Sequence, residues 1–404
     1  MRMRALVGTF LTVASLATIA VAADSVGPVH ADGPPNNGTP WVVTIGDSAI
    51  SGEAGRWAGN SNVSPAYVDT GANAYFDNAA GTGEAIPGCH RSRAAEVHIF
   101  GGYDVNSLNL ACSGARTYTQ TSGDFKPGLD WYDDGTRRSQ VVELDAFART
   151  HNVKAVTVLI GANNFGFADI VQQCVTDWLT SPSWWKNYCY DDSSISSRFT
   201  AAAVDARTNE VAGALANVAG AMSNAGYQPS DWKLIVQTYW SPIPLGAGFR
   251  YSESGWTRQN TGGCGVWNRD ADWANNTAVA KMNQALTNGV LRSGVSNYVV
   301  LDMSSALNGH RLCEKGVGLL EEVGLTRWTQ AGAADRTEWV SQVRTTSTIF
   351  GPYQLQEDIH ASYWGQLAMR NCLRQAYNGG AIRGGRCTST GGVNSRGEPN
   401  MSLA

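Results

Sequence analysis

Residues 41–48 read Trp-Val-Val-Thr-Ile-Gly-Asp-Ser, and they decide which fold this chain is expected to have. The first five form a short run rich in β-branched residues, and Gly46 ends it, which is typical of a buried strand. Ser48 then follows the carboxyl end of that strand. Because open α/β sheets bind ligands at the carboxyl ends of their strands, this serine stands where such a fold places its active site.

Four further strands are predicted downstream, and helical patterns separate them. The strands cover residues 106–112, 155–160, 234–239 and 298–303. The helices cover residues 137–150, 195–225, 271–292 and 363–377. Strands that alternate with helices in this way indicate a parallel sheet covered by helices on both faces.

The N-terminus has the pattern of an export signal. Arg2 and Arg4 precede an apolar run over residues 5–22 that ends in small residues, so we expect cleavage after residue 22 or as late as residue 31. A membrane anchor is the alternative, but the Ser and Thr residues in the run and the Ala-x-Ala site favour cleavage. The predicted organisation is a signal peptide (1–22), a flexible lead-in (23–40), one domain (41–378) and a Gly-rich tail (379–404).

Export changes how the eight cysteines are interpreted. An even number in a secreted chain suggests disulfides, and the simplest pairing joins sequence neighbours, although other connectivities are open. That pairing is Cys89–Cys112, Cys174–Cys189, Cys264–Cys313 and Cys372–Cys387. The spacing of Cys and His does not match a zinc site, so we expect no metal.

The composition excludes some classes of partner. The net charge is −4 and no basic stretch occurs, so we expect no nucleic-acid partner. No second apolar stretch is long enough to span a bilayer, so we expect a secreted protein without a stable membrane anchor. The oligomeric state is left open. Long loops rich in aromatic residues, such as residues 178–192 and 246–273, are consistent with an aromatic-walled cleft, although each Trp taken singly is better explained as core cover.

Two features at other strand ends fit an oxyanion site next to Ser48. Asn163 follows a predicted strand, where its side-chain N–H groups can donate to a developing negative charge. Gly114 also follows a strand, and its backbone N–H is a second candidate donor beside that of Ser48. Taken alone, Gly-Asp-Ser is a weak signal, because the same residues often cap a helix.

His360 is the candidate base, and it precedes the last predicted helix. A serine hydroxyl needs an imidazole to remove its proton, and the imidazole needs an acceptor on its other nitrogen. Glu357 and Asp358 lie close enough in sequence to supply that acceptor.

In chain order, the segments around Ser48, Gly114, Asn163 and His360 resemble the four sequence blocks of the SGNH (GDSL) hydrolase family. The resemblance spans residues 41–377. The stretch Ser-Gly-Glu-Ala-Gly-Arg-Trp at 51–57 resembles secreted actinobacterial members in particular. The resemblance implies a three-layer α/β/α sandwich with a mostly parallel central sheet. It also implies Ser48 as nucleophile, His360 as general base, and an oxyanion hole made by Ser48, Gly114 and Asn163.

The chain departs from the family pattern at the last block, usually Asp-x-x-His-Pro. Glu357 stands three residues before His360, Asp358 stands two before it, and Ala361 replaces the proline. Some relatives orient the histidine with a backbone carbonyl, so the third partner is Glu357, Asp358 or neither. In the third block the usual Asp is replaced by Asn164.

The function expected from the resemblance is hydrolysis of lipid or acyl esters through an acyl-enzyme on Ser48, without a cofactor. The alternatives are a carbohydrate acetyl esterase or an acyltransferase that uses the same residues. A secreted binding module that has lost turnover is the alternative from another class. A G-x-S-x-G α/β-hydrolase is disfavoured because that motif is absent.

Overall fold

The computed structural model describes residues 35–344 and 352–404. The predicted signal peptide, its cleavage sites and most of the predicted lead-in lie outside the described residues. Within the described residues, no helix combines the length and apolar character that a bilayer span requires.

A seven-stranded sheet forms the centre of the fold, with strand order β2-β1-β3-β4-β5-β6-β7. Neighbouring strands are parallel from β2 through β6, and β6 and β7 pair antiparallel. The prediction of an α/β fold with a mostly parallel sheet is confirmed. The strands are β1 (Trp41–Gly46), β2 (Asn106–Asn109), β3 (Val153–Leu159), β4 (Lys233–Gln237), β5 (Tyr298–Asp302), β6 (Gly385–Val393) and β7 (Pro399–Leu403).

Helices flank this sheet. Helices α2, α5 and α8 pack side by side, and α10 packs against β6 and β7. All six residues of β1 are buried, as expected for a strand covered on both faces. The helices are α1 (Ser48–Ser51), α2 (Gln140–Ala148), α3 (Phe167–Thr180), α4 (Ser193–Ser196), α5 (Ala201–Asn224), α6 (Thr257–Asn260), α7 (Asn268–Trp273), α8 (Ala280–Arg292), α9 (Ala333–Arg336) and α10 (Tyr363–Tyr377).

Gly46 is required where β1 ends. Its φ is +137°, and a Cβ on this residue would lie 2.0 Å from the carbonyl oxygen of Leu159 in β3. The amide of Gln140 fixes the same turn, because it accepts from the Gly46 N–H at 2.7 Å and donates to the Gly46 carbonyl at 2.9 Å. The ends of β1 and β3 are therefore held close together, and Ser48 follows this junction.

The segment expected to be a Gly-rich tail instead forms β6 and β7, which extend the central sheet beyond β5. Its Gly, Ser and Thr content gives little local strand signal, and pairing with β5 decides its conformation. The predicted strand 106–112 ends early, at Asn109. The side chain of Asn109 accepts from the backbone N–H of Ala111 at 3.2 Å and turns the chain.

Two predicted helices are divided. The long helix begins at Ala201, because Thr200 has extended dihedrals and its side chain caps the N–H of Ala203. The predicted helix 271–292 comprises α7, a π-helical stretch (Ala274–Val279) and α8. Helix 363–377 has the predicted bounds.

Four disulfides join the eight cysteines, and they link sequence neighbours. Cys372–Cys387 ties α10 to β6, and Cys174–Cys189 ties α3 to the loop that follows it. The other two are Cys89–Cys112 and Cys264–Cys313.

Candidate active site

Ser48 is the first residue of α1, directly beyond β1. Asp47 caps this short helix, because its side chain accepts from the N–H of Ala49 at 3.1 Å. Ser48 itself is 8% exposed. Its hydroxyl is therefore fixed at the carboxyl edge of the sheet, where the strand order reverses direction between β2 and β3.

His360 and Ser48 are in direct contact although 312 positions separate them. The imidazole Nε2 lies 2.6 Å from the Ser48 Oγ. The other ring nitrogen, Nδ1, lies 2.9 Å from the backbone carbonyl oxygen of Asp358. Since a carbonyl only accepts, Nδ1 carries the proton and donates it to Asp358, which leaves Nε2 free to accept from the serine hydroxyl.

The side chain of Glu357 is directed to other partners. Its carboxylate is fully buried and accepts from Trp57 Nε1 and from the Tyr75 hydroxyl, both at 2.7 Å. It also accepts from the backbone N–H of Gln354 at 2.8 Å. Burial is the main reason that the pKa of Glu357 is raised. Glu357 therefore ties the segment before His360 to the loop that follows Ser48.

The Asp358 carboxylate lies beside Arg344. It accepts from the Arg344 backbone N–H at 3.1 Å, and its other oxygen lies 3.5 Å from the guanidinium. Burial raises the pKa of Asp358 to about 7, although the charge of Arg344 opposes the shift. Of the three alternatives for orienting His360, the backbone carbonyl is the group found at its ring.

Ile359, which lies between Asp358 and His360, has a left-handed backbone with φ of 64°. This conformation is unusual for a β-branched residue and stores local strain. Ser341 holds it in place: Ile359 donates to the Ser341 carbonyl at 3.0 Å, and Ser341 donates to the His360 carbonyl at 2.8 Å. The bend brings the Asp358 carbonyl to Nδ1 of the His360 ring.

The candidate oxyanion donors are the backbone N–H groups of Ser48 and Gly114 and the side chain of Asn163. Asn163 lines the same pocket as Ser48 and His360. One Asn163 N–H donates to the Ala115 carbonyl at 2.9 Å, which orients the amide and leaves its second N–H available. Gly114 has φ of 80°, and neither its backbone N–H nor that of Ser48 has a hydrogen-bond partner among the described residues. These are the donors that the sequence predicts.

Asn164, where the family pattern has Asp, bonds away from the pocket. Its side chain donates to Thr117 Oγ1 at 2.6 Å and to Glu210 at 2.7 Å, and its oxygen accepts from the Thr117 N–H at 3.2 Å. The amide therefore supports the loop that holds Asn163.

Tyr239, which the sequence analysis did not select, connects two of these elements. Its hydroxyl donates to the carboxyl of Asp47 and accepts from the backbone N–H of Ala162 at 3.1 Å. Burial raises the pKa of Asp47 to about 7. The contact fixes the Asn163 loop relative to Ser48.

A buried Glu53–His90 pair, also not selected, lies close enough to His360 to affect its titration. The His90 Nδ1 and the Glu53 carboxylate are 2.7 Å apart. Burial alone would raise the pKa of Glu53, but the hydrogen bond and charge of His90 lower it overall. Burial lowers the pKa of His360, and the Glu53 charge opposes that shift. Glu53 lies in the stretch 51–57 that resembles secreted members of the family, and this stretch was the sequence signal that could have pointed to it.

An apolar cavity continues from the pocket at Ser48. The two share five lining residues, among them Phe167 and Met282. About 680 Å³ of space, part of it open to solvent, lies between the atoms that line it. Asp270 is the one charged residue of the seventeen that line it, and burial raises the pKa of its carboxyl to about 7.

The aromatic residues of the long loops divide into two groups. Trp178 and Trp267 are buried with their rings 5.9 Å apart, as expected for core cover. Trp184 and Trp185 are 81% and 74% exposed, and their ring planes cross at 83°. Rings at this angle do not form a flat stacking surface.

No cluster of three or more His, Cys, Asp or Glu side chains is placed to hold a metal ion among the described residues.

The solved structures similar to this chain include three lipases or phospholipases. An extracellular lipase from Streptomyces rimosus shares 16% identity over 84% of this chain and 100% of its own, with a TM-score of 0.42. Phospholipase A1 from Streptomyces albidoflavus NA297 shares 18% over 84% and 99%, with a TM-score of 0.45. A lipase from a goat rumen metagenome shares 10% over 85% and 99%, with a TM-score of 0.34.

No protein-family model matches the chain, and no curated protein matches it in sequence. With identities and TM-scores this low, the activity of this chain has to be argued from its own residues.

Proposed function

We propose that this chain is a secreted serine carboxylic-ester hydrolase of the SGNH type that cleaves lipid or acyl esters through an acyl-enzyme on Ser48. The observation that carries the proposal is the 2.6 Å contact between Ser48 Oγ and His360 Nε2 at the opening of an apolar cavity. This contact supports Ser48 as nucleophile and His360 as base, and the apolar lining supports a site for an acyl chain.

The mechanism follows from the contacts of His360. Ser48 Oγ attacks the ester carbonyl carbon while its proton passes to Nε2, and the resulting imidazolium then protonates the leaving alkoxide. In deacylation, His360 removes a proton from water as the water oxygen attacks the acyl carbon. The bond from that carbon to Ser48 Oγ then breaks, the imidazolium returns the proton to Ser48 Oγ, and the carboxylic acid leaves. Because the pKa of His360 is lowered, its imidazole is neutral at neutral pH and can accept the serine proton.

The tetrahedral intermediate carries its negative charge on the former carbonyl oxygen. The N–H groups of Ser48 and Gly114 and the free N–H of Asn163 are the donors proposed to hold it. Among the described residues, no acidic side chain is hydrogen-bonded to His360 in this arrangement. The Asp358 carbonyl fixes the tautomer. The Glu53 charge favours the positive charge that forms on the ring, and the charge of His90 opposes it.

The lining of the cavity favours esters with an apolar acyl group. A carbohydrate acetyl esterase would need little acyl volume and a stacking surface for sugar rings. Here an apolar cavity continues beyond the pocket at Ser48, and the ring planes of the exposed Trp184 and Trp185 cross at 83°. An acyltransferase uses the same residues and differs in the acceptor that reaches the acyl-enzyme.

A fluorophosphonate probe tests the proposal directly. We expect a single adduct on Ser48 in folded protein, none in Ser48→Ala or in heat-unfolded protein, and turnover of p-nitrophenyl esters that falls to background in both Ser48→Ala and His360→Ala. A folded protein that forms no adduct and releases no p-nitrophenol is the non-catalytic binding module instead. Adding an alcohol acceptor separates hydrolase from acyltransferase by the ratio of acid to new ester.

A further inference from the structure

A second concavity, which we call the arginine pocket, shares no lining residue with the pocket at Ser48. It joins loops that follow β1 to α10 and leaves about 670 Å³ open between protein atoms. Its lining includes Arg93, Trp328, Tyr363 and Arg370.

Arg370 is a buried cation with one free end. Its Nε donates to the Ala95 carbonyl at 3.3 Å, and its Nη2 donates to the carbonyls of Arg93 and Ala95 at 2.9 and 3.1 Å. Its Nη1 has no hydrogen-bond partner among the described residues. Burial lowers the pKa of Arg370 to about 10, so the guanidinium is still charged at neutral pH.

The acids that interact electrostatically with Arg370 do not neutralise it. Glu398 is engaged by Arg374, with the Nη2 to Oε1 distance at 2.6 Å. Burial raises the pKa of Glu96 to about 8, so this carboxyl is largely protonated at neutral pH. The arginine pocket therefore keeps a positive charge on Arg370.

Asp69, next to the pocket residue Thr70, is also engaged. It forms an ion pair of 2.8 Å with Arg56. Asp69 and Glu398 are therefore both paired with other arginines and not with Arg370.

Arg93 is a second arginine among the residues that line this pocket. It is exposed, its guanidinium donates to the Phe76 carbonyl at 3.4 Å, and it makes no ion pair within the part of the chain that the structure describes. Trp328 and Tyr363 form an aromatic wall, with ring centroids 5.4 Å apart. A pocket lined by two arginines and an aromatic pair suits a small molecule that carries an anionic group.

We infer that the arginine pocket binds a phosphate group, either of a small phosphorylated molecule or of a phospholipid headgroup. A buried guanidinium without a counter-ion is unfavourable, and an apolar side chain in its place would avoid that burden. The planar fork of arginine donates two parallel hydrogen bonds to phosphate oxygens, and two arginines balance a doubly charged group.

The alternative is that Arg370 has a purely structural role, because it ties the backbone of residues 93–95 to α10. That role uses Nε and Nη2, and it accounts for neither the free Nη1 nor the neighbouring Arg93.

Titration calorimetry with inorganic phosphate tests the inference, in phosphate-free buffer with ionic strength held constant by sodium chloride. We expect saturable binding of one phosphate per chain. Arg93→Gln should weaken it at least about tenfold, the loss expected for one charged hydrogen bond. Arg93→Lys should retain more affinity than Arg93→Gln. Arg138→Gln is the matched control, because Arg138 is an exposed arginine on another loop, and it should leave the affinity unchanged.

Three results would overturn the inference: heat that does not saturate, equal weakening by Arg138→Gln, or acetate binding as tightly as phosphate. Arg370→Met is the second variant, and its melting temperature reports whether loss of the carbonyl contacts unfolds the chain. If it unfolds, Arg93→Gln alone decides the question.

The source of the phosphate is decided with Ser48→Ala protein, so that no lipid is hydrolysed. Binding of glycerol 3-phosphate that Arg93→Gln weakens supports a soluble ligand. Binding to phosphatidylglycerol vesicles but not to phosphatidylcholine vesicles, again weakened by Arg93→Gln, supports a lipid headgroup. Because none of these measurements depends on turnover, their failure is distinguishable from failure of the proposed ester hydrolysis.

Discussion

The Nδ1 of His360 lies 2.9 Å from the backbone carbonyl oxygen of Asp358, two residues earlier in the chain. A main-chain group thus occupies the place where a carboxylate stands in a Ser-His-Asp triad. A carbonyl fixes the tautomer as a carboxylate does, but it carries only a partial charge.

Substitution of the two neighbouring acids tests this arrangement. We expect Asp358→Asn and Glu357→Gln each to reduce kcat by less than about tenfold, whereas removal of an orienting carboxylate costs about 10⁴. The measurement is kcat on p-nitrophenyl butyrate, with His360→Ala as the reference for full loss. A loss of kcat near 10⁴ in Asp358→Asn, with an unchanged melting temperature, would show that the Asp358 side chain orients His360.

Asn163→Ala should reduce kcat by about 10²–10³, because one oxyanion donor is lost. The matched control is Asn164→Ala, which removes the contacts to Thr117 and Glu210. It should lower the melting temperature, and it should reduce kcat less than Asn163→Ala does. Steady-state kinetics and thermal unfolding of both variants check this pair. Equal kcat in Asn163→Ala and wild type would remove Asn163 from the oxyanion site.

The pH dependence follows from His360, which must be neutral to accept the serine proton. Burial lowers its pKa below the ordinary value of 6.5, so protonation and loss of activity occur at lower pH than for a free imidazole. We therefore expect the acid limb of kcat/KM to have its midpoint below 6.5. The profile is measured on a soluble ester at constant ionic strength. A midpoint above 6.5 would contradict the assignment.

Acyl-chain selectivity should depend on the cavity that continues from the pocket at Ser48. Val171 lines this cavity without lining that pocket. We expect Val171→Trp to fill part of it and to reduce kcat/KM for p-nitrophenyl laurate at least about tenfold, while acetate turnover changes little. Gln172→Trp introduces the same side chain at the exposed neighbouring position and serves as the control. A parallel loss on acetate and laurate would argue against an acyl site.

The disulfide between Cys372 and Cys387 should stabilise the fold more than it affects chemistry. Its removal by a double Cys→Ser substitution opens a loop of 15 residues, and such a loop corresponds to about 3 kcal/mol of unfolding free energy. Chemical denaturation measures the change, and kcat at low temperature should stay close to wild type. An unchanged free energy of unfolding would show that the pairing of β6 with β5 holds this segment without the bond.

Local sequence patterns were sufficient for the elements that depend on nearest neighbours. The strand that ends at Gly46, the alternation of strands and helices, and α10 all follow from periodicity and from residues that end or cap an element. Ser48, Gly114, Asn163 and His360 were predicted as site residues because each follows a strand or precedes a helix in a recognisable order. The predicted bounds of helices and strands were wrong where strand pairing or helix capping decided the conformation, as in β6, β7 and the start of α5.

The sequence by itself determined which residues can carry the chemistry and in what order they occur. It left open whether Glu357, Asp358 or a main-chain group orients His360, because all three lie within reach along the chain. Only the tertiary structure decided this: the backbone bend at Ile359, held by Ser341, turns both carboxylates towards other partners and places a carbonyl at the ring. The physical reason is that spacing limits which groups can meet, whereas backbone direction, set by contacts distant in sequence, decides which of them do.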